Sequence, residues 1–128
     1  MNYLLDTHIF LWWIDDDDRL SPTARNLLRD GRNTLYWSSA SSWEVAIKYK
    51  LGKLDLPTQP DRFLPLHLAA NGIASLAIDD HHAFAAGGLP LHHRDPFDRL
   101  LVAQAVVANL TLVSADPLIK QYDVPLIS

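Results

Sequence analysis

The chain has 128 residues, enough for one domain with a real core, and its 48% hydrophobic and 20% charged content excludes collagen-like and disordered classes. Eleven Lys and Arg against 15 Asp and Glu leave a formal charge of −4, so there is no general basic footprint for nucleic acid, only room for a local rim around an acidic site. With no cysteine, neither a disulfide scaffold nor a Cys-ligated zinc site is available.

Tyr3–Leu5 is a short apolar run closed by "DTH", which predicts a buried strand and a turn. The opening residues carry no basic leader, and Asp6 and His8 interrupt their apolar run, so no signal peptide is expected. No apolar stretch approaches the ~20 residues that span a bilayer, and the expectation is a soluble cytoplasmic protein with no membrane association. A first helix is predicted over Ile9–Ile14, ended by the solvated run Asp15–Asp18. Trp12 and Trp13 cannot both face inward on one helix, which leaves one of them for a partner surface.

Ser21-Pro22 supplies an N-cap and a proline at the first helical position, so "TARNLLRD" should be helical and close at Gly31. Thr34–Ser38 is the second strand, and "SASSWEVAIKYKLGKL" turns helical with Gly52 as its stop. A helix bent or delayed by Pro65 follows at Asp61–Ala70, then a strand at Ile73–Ile78 and a short helix over Asp79–Ala86 ending at Gly87-Gly88. The segment Pro96–Ala108 reads as a helix that is apolar on every side and therefore buried, with Asn109 at its C-terminal cap. Strands at Thr111–Val113 and Val124–Ile127 complete the chain. Strands alternating with helices, with little hairpin chemistry between them, require parallel pairing. The predicted fold is α/β, a three-layer α/β/α sandwich with a central parallel sheet, in one domain over residues 1–128.

Four acids fall near strand ends. Asp6 follows the first strand, Glu44 lies in the first turn after the second, Asp98 opens the buried helix, and Asp116 follows the fourth strand. The carboxyl ends of a parallel sheet form the usual ligand crevice. Each acid also has a local explanation. Asp95-Pro96 is a strong helix start that Asp98 completes as a capping-box-like pair, Ser41-Ser42-Trp43-Glu44 has the same S-x-x-E form, Asp6 can cap the first helix, and Asp116-Pro117 can open a turn. Caps need only one acceptor, whereas four converging carboxylates repel unless a cation neutralises them. A hard divalent ion, Mg²⁺ or Mn²⁺, is the natural solution. Asp95 is then expected to start the helix and the helix to aim Asp98.

Thr7 and Ser114 stand beside the acids and can either orient a carboxylate or bond nearby backbone. Lys48, Lys50, Lys53 and Arg99 form either a basic rim or a plain solvated face. His81-His82 and His92-His93 are adjacent pairs that share no helical face, so zinc is not expected, and His93 and Arg94 are read as solvated loop positions.

The strings "LLDTHIFLWW", "SSASSWEVAIKYKLGKL", "HRDPFDRLLVAQA" and "LVSADPLIKQYDV", in this order, span essentially the whole chain. Together they resemble PIN-domain ribonucleases, specifically the VapC-type toxins of toxin–antitoxin pairs. The resemblance implies a PIN-like sandwich and a Mg²⁺- or Mn²⁺-dependent endoribonuclease whose metal-activated water leaves 5′-phosphate and 3′-hydroxyl ends. It places the family's acids on Asp6, Glu44, Asp98 and Asp116, with Asp6 and Asp98 as main ligands and Glu44 and Asp116 positioning water or a second ion. The implied partners are RNA, a VapB-like antitoxin and a second copy in a homodimer. Two other readings compete. A receiver-like signalling domain needs a phospho-acceptor after the third strand, where only Asp79 fits, and a lysine after the fifth, which is absent. A catalytically silent PIN-like binding module has no need of the intact acid set.

Overall fold

The computed structural model describes residues 1–128. Five strands, β1 (Asn2–Leu5), β2 (Thr34–Ser38), β3 (Ile73–Leu76), β4 (Thr111–Val113) and β5 (Leu126–Ile127), form one all-parallel sheet in the order β3-β2-β1-β4-β5. Six helices cover it: α1 (Thr7–Ile14), α2 (Pro22–Arg29), α3 (Ser39–Lys50), α4 (Pro60–Ala70), α5 (Asp80–Gly88) and α6 (Pro96–Val107). This order differs from the 2-1-3-4-5 of receiver-type sheets, and Asp79 is the N-cap of α5, so the receiver reading falls.

The central strand shows why both faces need cover. Alternate residues of β1 point to opposite sides: Tyr3 and Leu5 join one apolar cluster and Leu4 the other. The first cluster takes Ile9 and Phe10 from α1, Leu27 and Leu28 from α2, and Phe63, Leu64 and Leu68 from α4. The second takes Leu101, Val102 and Ala105 from α6. The expected three-layer α/β/α sandwich is what forms. No helix is long and apolar enough to cross a membrane.

Helix ends follow local chemistry. Ser21 caps α2 by accepting from the Ala24 N–H at 3.0 Å, next to Pro22. Helices α1, α3 and α6 each end on one left-handed residue, Asp16 (φ 51°), Gly52 (φ 72°) and Asn109 (φ 57°). At each, the next residue's N–H reaches back to the helix, as Leu110 does to the Ala105 carbonyl at 2.8 Å.

Several expectations are corrected. Pro65 neither delays nor ends α4, which runs from Pro60; the ring is exposed while Phe63, Leu64 and Leu68 anchor the opposite face. Strand β3 stops at Leu76, and α5 continues through Gly87-Gly88. Helix α6 is buried through its middle, but Val106 and Val107 are exposed at its end. A 3₁₀ turn over Pro117–Gln121 had no expected counterpart. Both Trp12 and Trp13 are partly buried against their own chain. Trp12 lies under Arg19 and stacks on His8, and the Trp13 indole N–H donates to Asn71 Oδ1 at 3.0 Å.

Candidate metal centre

The two strands that end beside each other at the middle of the sheet, β1 and β4, are followed by Asp6 and by Ser114-Ala115-Asp116. Helix α3 starts directly from β2, and α6 approaches the same edge with its N-terminus. Asp6, Glu44, Asp98 and Asp116 all line one cavity of about 280 Å³ at this edge.

Each carboxylate is held differently. Asp6 caps α1 through Oδ1, which accepts from the Thr7 N–H at 2.7 Å, while its Oδ2 accepts from the Ser114 hydroxyl at 2.7 Å. Asp116 caps the 3₁₀ turn through Oδ1, which accepts from the Leu118 N–H at 2.9 Å, and turns Oδ2 to the site. These two acids are therefore caps and cavity residues at once.

Glu44 and Asp98 are not caps. Helix α3 begins at Ser39 under the cap of Ser38, whose Oγ accepts from the Ala40 N–H at 3.0 Å, so Glu44 lies in the second turn, not the first. Its Oε1 accepts from the Thr7 hydroxyl at 2.6 Å and its Oε2 from Lys48 Nζ at 2.9 Å. The capping box expected at α6 does not form. Asp95 caps the helix, accepting from the Phe97 N–H at 2.8 Å, but its own N–H donates to His93 Nδ1 at 3.1 Å rather than to Asp98. Asp98 is left to face the cavity, and it alone of the four accepts nothing from a backbone N–H or hydroxyl.

His93, expected in a solvated loop, sits in the site with a side chain only 12% exposed. Its Nε2 lies 2.9 Å from Asp98 Oδ2 and 2.8 Å from Asp116 Oδ2. His93, Asp98 and Asp116 thus bring three possible donor atoms mutually within 4.8 Å, with Asp6 lining the same cavity. The predicted basic rim contracts to Lys48, which lines the cavity. Lys50 and Lys53 are exposed outside it. Arg99 turns away to the carbonyls of Ala86 and Leu89, at 2.9 and 3.1 Å, where it ties the α5–α6 connection. Thr7 holds a distant carboxylate, and Ser114 fills both roles open to it, donating to Asp6 while its Oγ accepts from the Asp116 N–H at 3.1 Å. His8 and Trp12 also line the cavity, a placement no motif announced.

The electrostatics are those of a crowded acid site. Burial, followed by the charges of Asp6, Asp95, Asp116 and Glu44, pushes the Asp98 carboxyl up to about 8. Burial also raises Asp6, against the opposing effects of the Ser114 hydroxyl, His8 and the Thr7 N–H. For Asp116, partial burial pushes upward but loses to hydrogen bonds from His93 and Leu118, and the carboxyl sits below its usual range. The donors are hard oxygens, and the acid under greatest electrostatic stress is the one with fewest partners. A divalent cation fits this set.

A parallel α/β/α sheet with an acid-lined cavity at its carboxyl edge defines the class of protein. Within that class the chain belongs to the PIN domain family, whose model matches residues 3–125. A curated relative, Ribonuclease VapC16 of Mycobacterium tuberculosis, is 38% identical over 58 residues, which cover 45% of this chain and 41% of that protein. The chain therefore spans about two-fifths of the relative's length in this match. Solved structures share the fold. The VapBC2 complex of Rickettsia felis bound to a promoter DNA fragment superposes with a TM-score of 0.68 at 22% identity, covering 99% of this chain and 98% of that one. The VapBC-1 structure of nontypeable Haemophilus influenzae gives 0.66 at 17% identity, over 100% and 98%.

Proposed function

We propose that this chain is a Mg²⁺- or Mn²⁺-dependent endoribonuclease and the toxin of a VapBC-type pair, acting in the cytoplasm as a homodimer and restrained by a VapB-like antitoxin. The observation that carries the nuclease reading is the convergence of Asp6, Glu44, Asp98 and Asp116, from four separate elements, on one cavity. The relative's designation as a ribonuclease supports RNA as substrate, and the toxin–antitoxin complexes among the structural neighbours support the antitoxin.

Asp98, Asp116 and Asp6 would hold the ion. Once bound, it supplies a water of lowered pKa and offsets charge on the scissile phosphate. The chain's own groups do the rest. Glu44, fixed at both oxygens by Thr7 and Lys48, presents a stationary acceptor for the proton of an attacking water. Lys48 stands at the cavity to meet a phosphate oxygen. Ser114 and Thr7 keep Asp6 and Glu44 from swinging apart under their mutual repulsion.

The test is cleavage of RNA with Mg²⁺ or Mn²⁺ and its suppression by EDTA. Asp98→Asn, nearly the same size and able to keep the His93 contact, should lower the rate by more than about 100-fold with an unchanged circular dichroism spectrum. Undiminished cleavage by this variant rejects the assignment. RNA binding without cleavage by the unaltered protein would leave the silent binding module in its place.

A further inference from the structure

We infer that His93 is a positioning residue of the proposed metal centre: its Nε2–H draws the Asp98 and Asp116 carboxylates within reach of one ion, and the imidazole does not itself ligate that ion. The inference rests on the functional reading above and goes beyond it, since nothing in that reading requires a histidine.

The ring is fixed from several sides. The His93 backbone N–H donates to the Tyr122 hydroxyl at 2.9 Å, its carbonyl accepts from Arg99 at 3.4 Å, and Nδ1 accepts from the Asp95 N–H at 3.1 Å. That last contact decides the chemistry. Nδ1 must offer a lone pair to the Asp95 N–H, so the proton of the neutral ring is on Nε2. Nε2 is therefore a donor, at 2.8 and 2.9 Å from one oxygen each of Asp116 and Asp98. For Nε2 to ligate a cation, the proton would have to move to Nδ1 and point at another N–H. The three side chains look like a His-Asp-Asp ligand set, but the backbone of Asp95 opposes it.

The same contact has a second effect. The Asp95 N–H is the group that a side chain three residues later takes in a capping box. His93 occupies that N–H from the opposite side, and Asp98 is thereby released from capping and turned to the cavity. One imidazole thus converts a helix-start residue into a cavity residue and ties it to Asp116 across the site. Partners of ligands that orient them in this way typically contribute 10- to 100-fold to metal affinity.

The experiment is titration of the intact chain with Mn²⁺ alone, without RNA, by calorimetry, for the unaltered protein, His93→Gln and His93→Leu. Glutamine restores an N–H near the reach of Nε2 and leucine does not. His93→Leu should bind Mn²⁺ at least tenfold more weakly, and His93→Gln within about threefold of the unaltered protein. Electron spin-echo spectra of Mn²⁺ on the unaltered protein should show no directly coordinated nitrogen. That measurement decides the matter even where a variant fails to fold. Equal affinity in His93→Leu, a loss in His93→Gln as large as in His93→Leu, or a coordinated-nitrogen signal would each overturn the inference. If the unaltered protein neither binds Mn²⁺ nor cleaves RNA, the functional reading itself has failed. If it does both while His93→Leu binds equally well, only the role given to His93 is lost.

Discussion

Asp98 is delivered to the cavity by α6 and meets His93 there with no backbone N–H or hydroxyl beside it, and this makes its proton the most sensitive report on the site. Its carboxyl is pushed up to about 8, by burial first and by four neighbouring acids after it, whereas an unfolded chain titrates near the ordinary value of about 4. Between those values the native state keeps a proton that the unfolded state has lost, so stability falls as pH rises through that window. Asp6, raised mainly by burial, acts in the same sense, while the lowered Asp116 contributes stability that is lost only in more acid solution. The ion-free protein in EDTA should therefore melt at progressively lower temperature between about pH 5 and 8.5, and Asp98→Asn should remove most of that slope. A flat melting profile for the unaltered chain in differential scanning fluorimetry would contradict the crowding of charge. The four acids were legible in the sequence because each belongs to a local string, and two of them also cap. Their supports were not. Ser114 meets Asp6 from 108 residues away, Thr7 meets Glu44 from 37, and His93 meets Asp116 from 23, distances over which no spacing rule operates.

Helix α6 shows how an element delivers one side chain. Asp95 and Pro96 start it, Asn109 ends it, and both marks were readable from residue type alone. Its lateral position depends on Gln104, which is fully buried. The Gln104 Oε1 accepts from the Ser38 hydroxyl at the end of β2, and its Nε2 donates to the Ala77 carbonyl just beyond β3 at 3.3 Å. Ser38 in turn caps α3, the helix that carries Glu44. One amide therefore registers the two acid-bearing helices against each other. Gln104→Leu keeps the volume but strands these polar groups, at a cost of about 2–4 kcal/mol in urea unfolding. A loss below about 0.5 kcal/mol would show that packing alone sets the register. The sequence could announce where α6 begins and ends but not what Gln104 bonds. The elements it missed or misjudged, the five-residue 3₁₀ turn and the two-residue β5, are too short for a periodic signal. Pro65 misled for another reason: three buried neighbours hold α4 together across the hydrogen bond that proline lacks.

At the scale of the molecule, a chain of formal charge −4 gathers five carboxylates, the four candidate ligands and Asp95, around one cavity and offers Lys48 as the basic side chain lining it. A polyanion meets repulsion there. Two unit charges about 4 Å apart interact by roughly 4 kcal/mol at the effective dielectric of a protein surface, more than one lysine contact returns. RNA binding, and not cleavage alone, should therefore depend on the divalent ion. A fluorescent single-stranded RNA with phosphorothioate linkages, which slow hydrolysis, should bind at least tenfold more weakly in EDTA than in Mn²⁺ when followed by anisotropy. Because few phosphates can be neutralised by side chains, the logarithmic salt dependence should be shallow. With about 0.7 for each phosphate neutralised on a single strand, a slope smaller in magnitude than about 2 is expected. A steep slope with no requirement for the ion would mean that RNA docks on a basic surface away from the acids, and the cavity would then have no part in holding it.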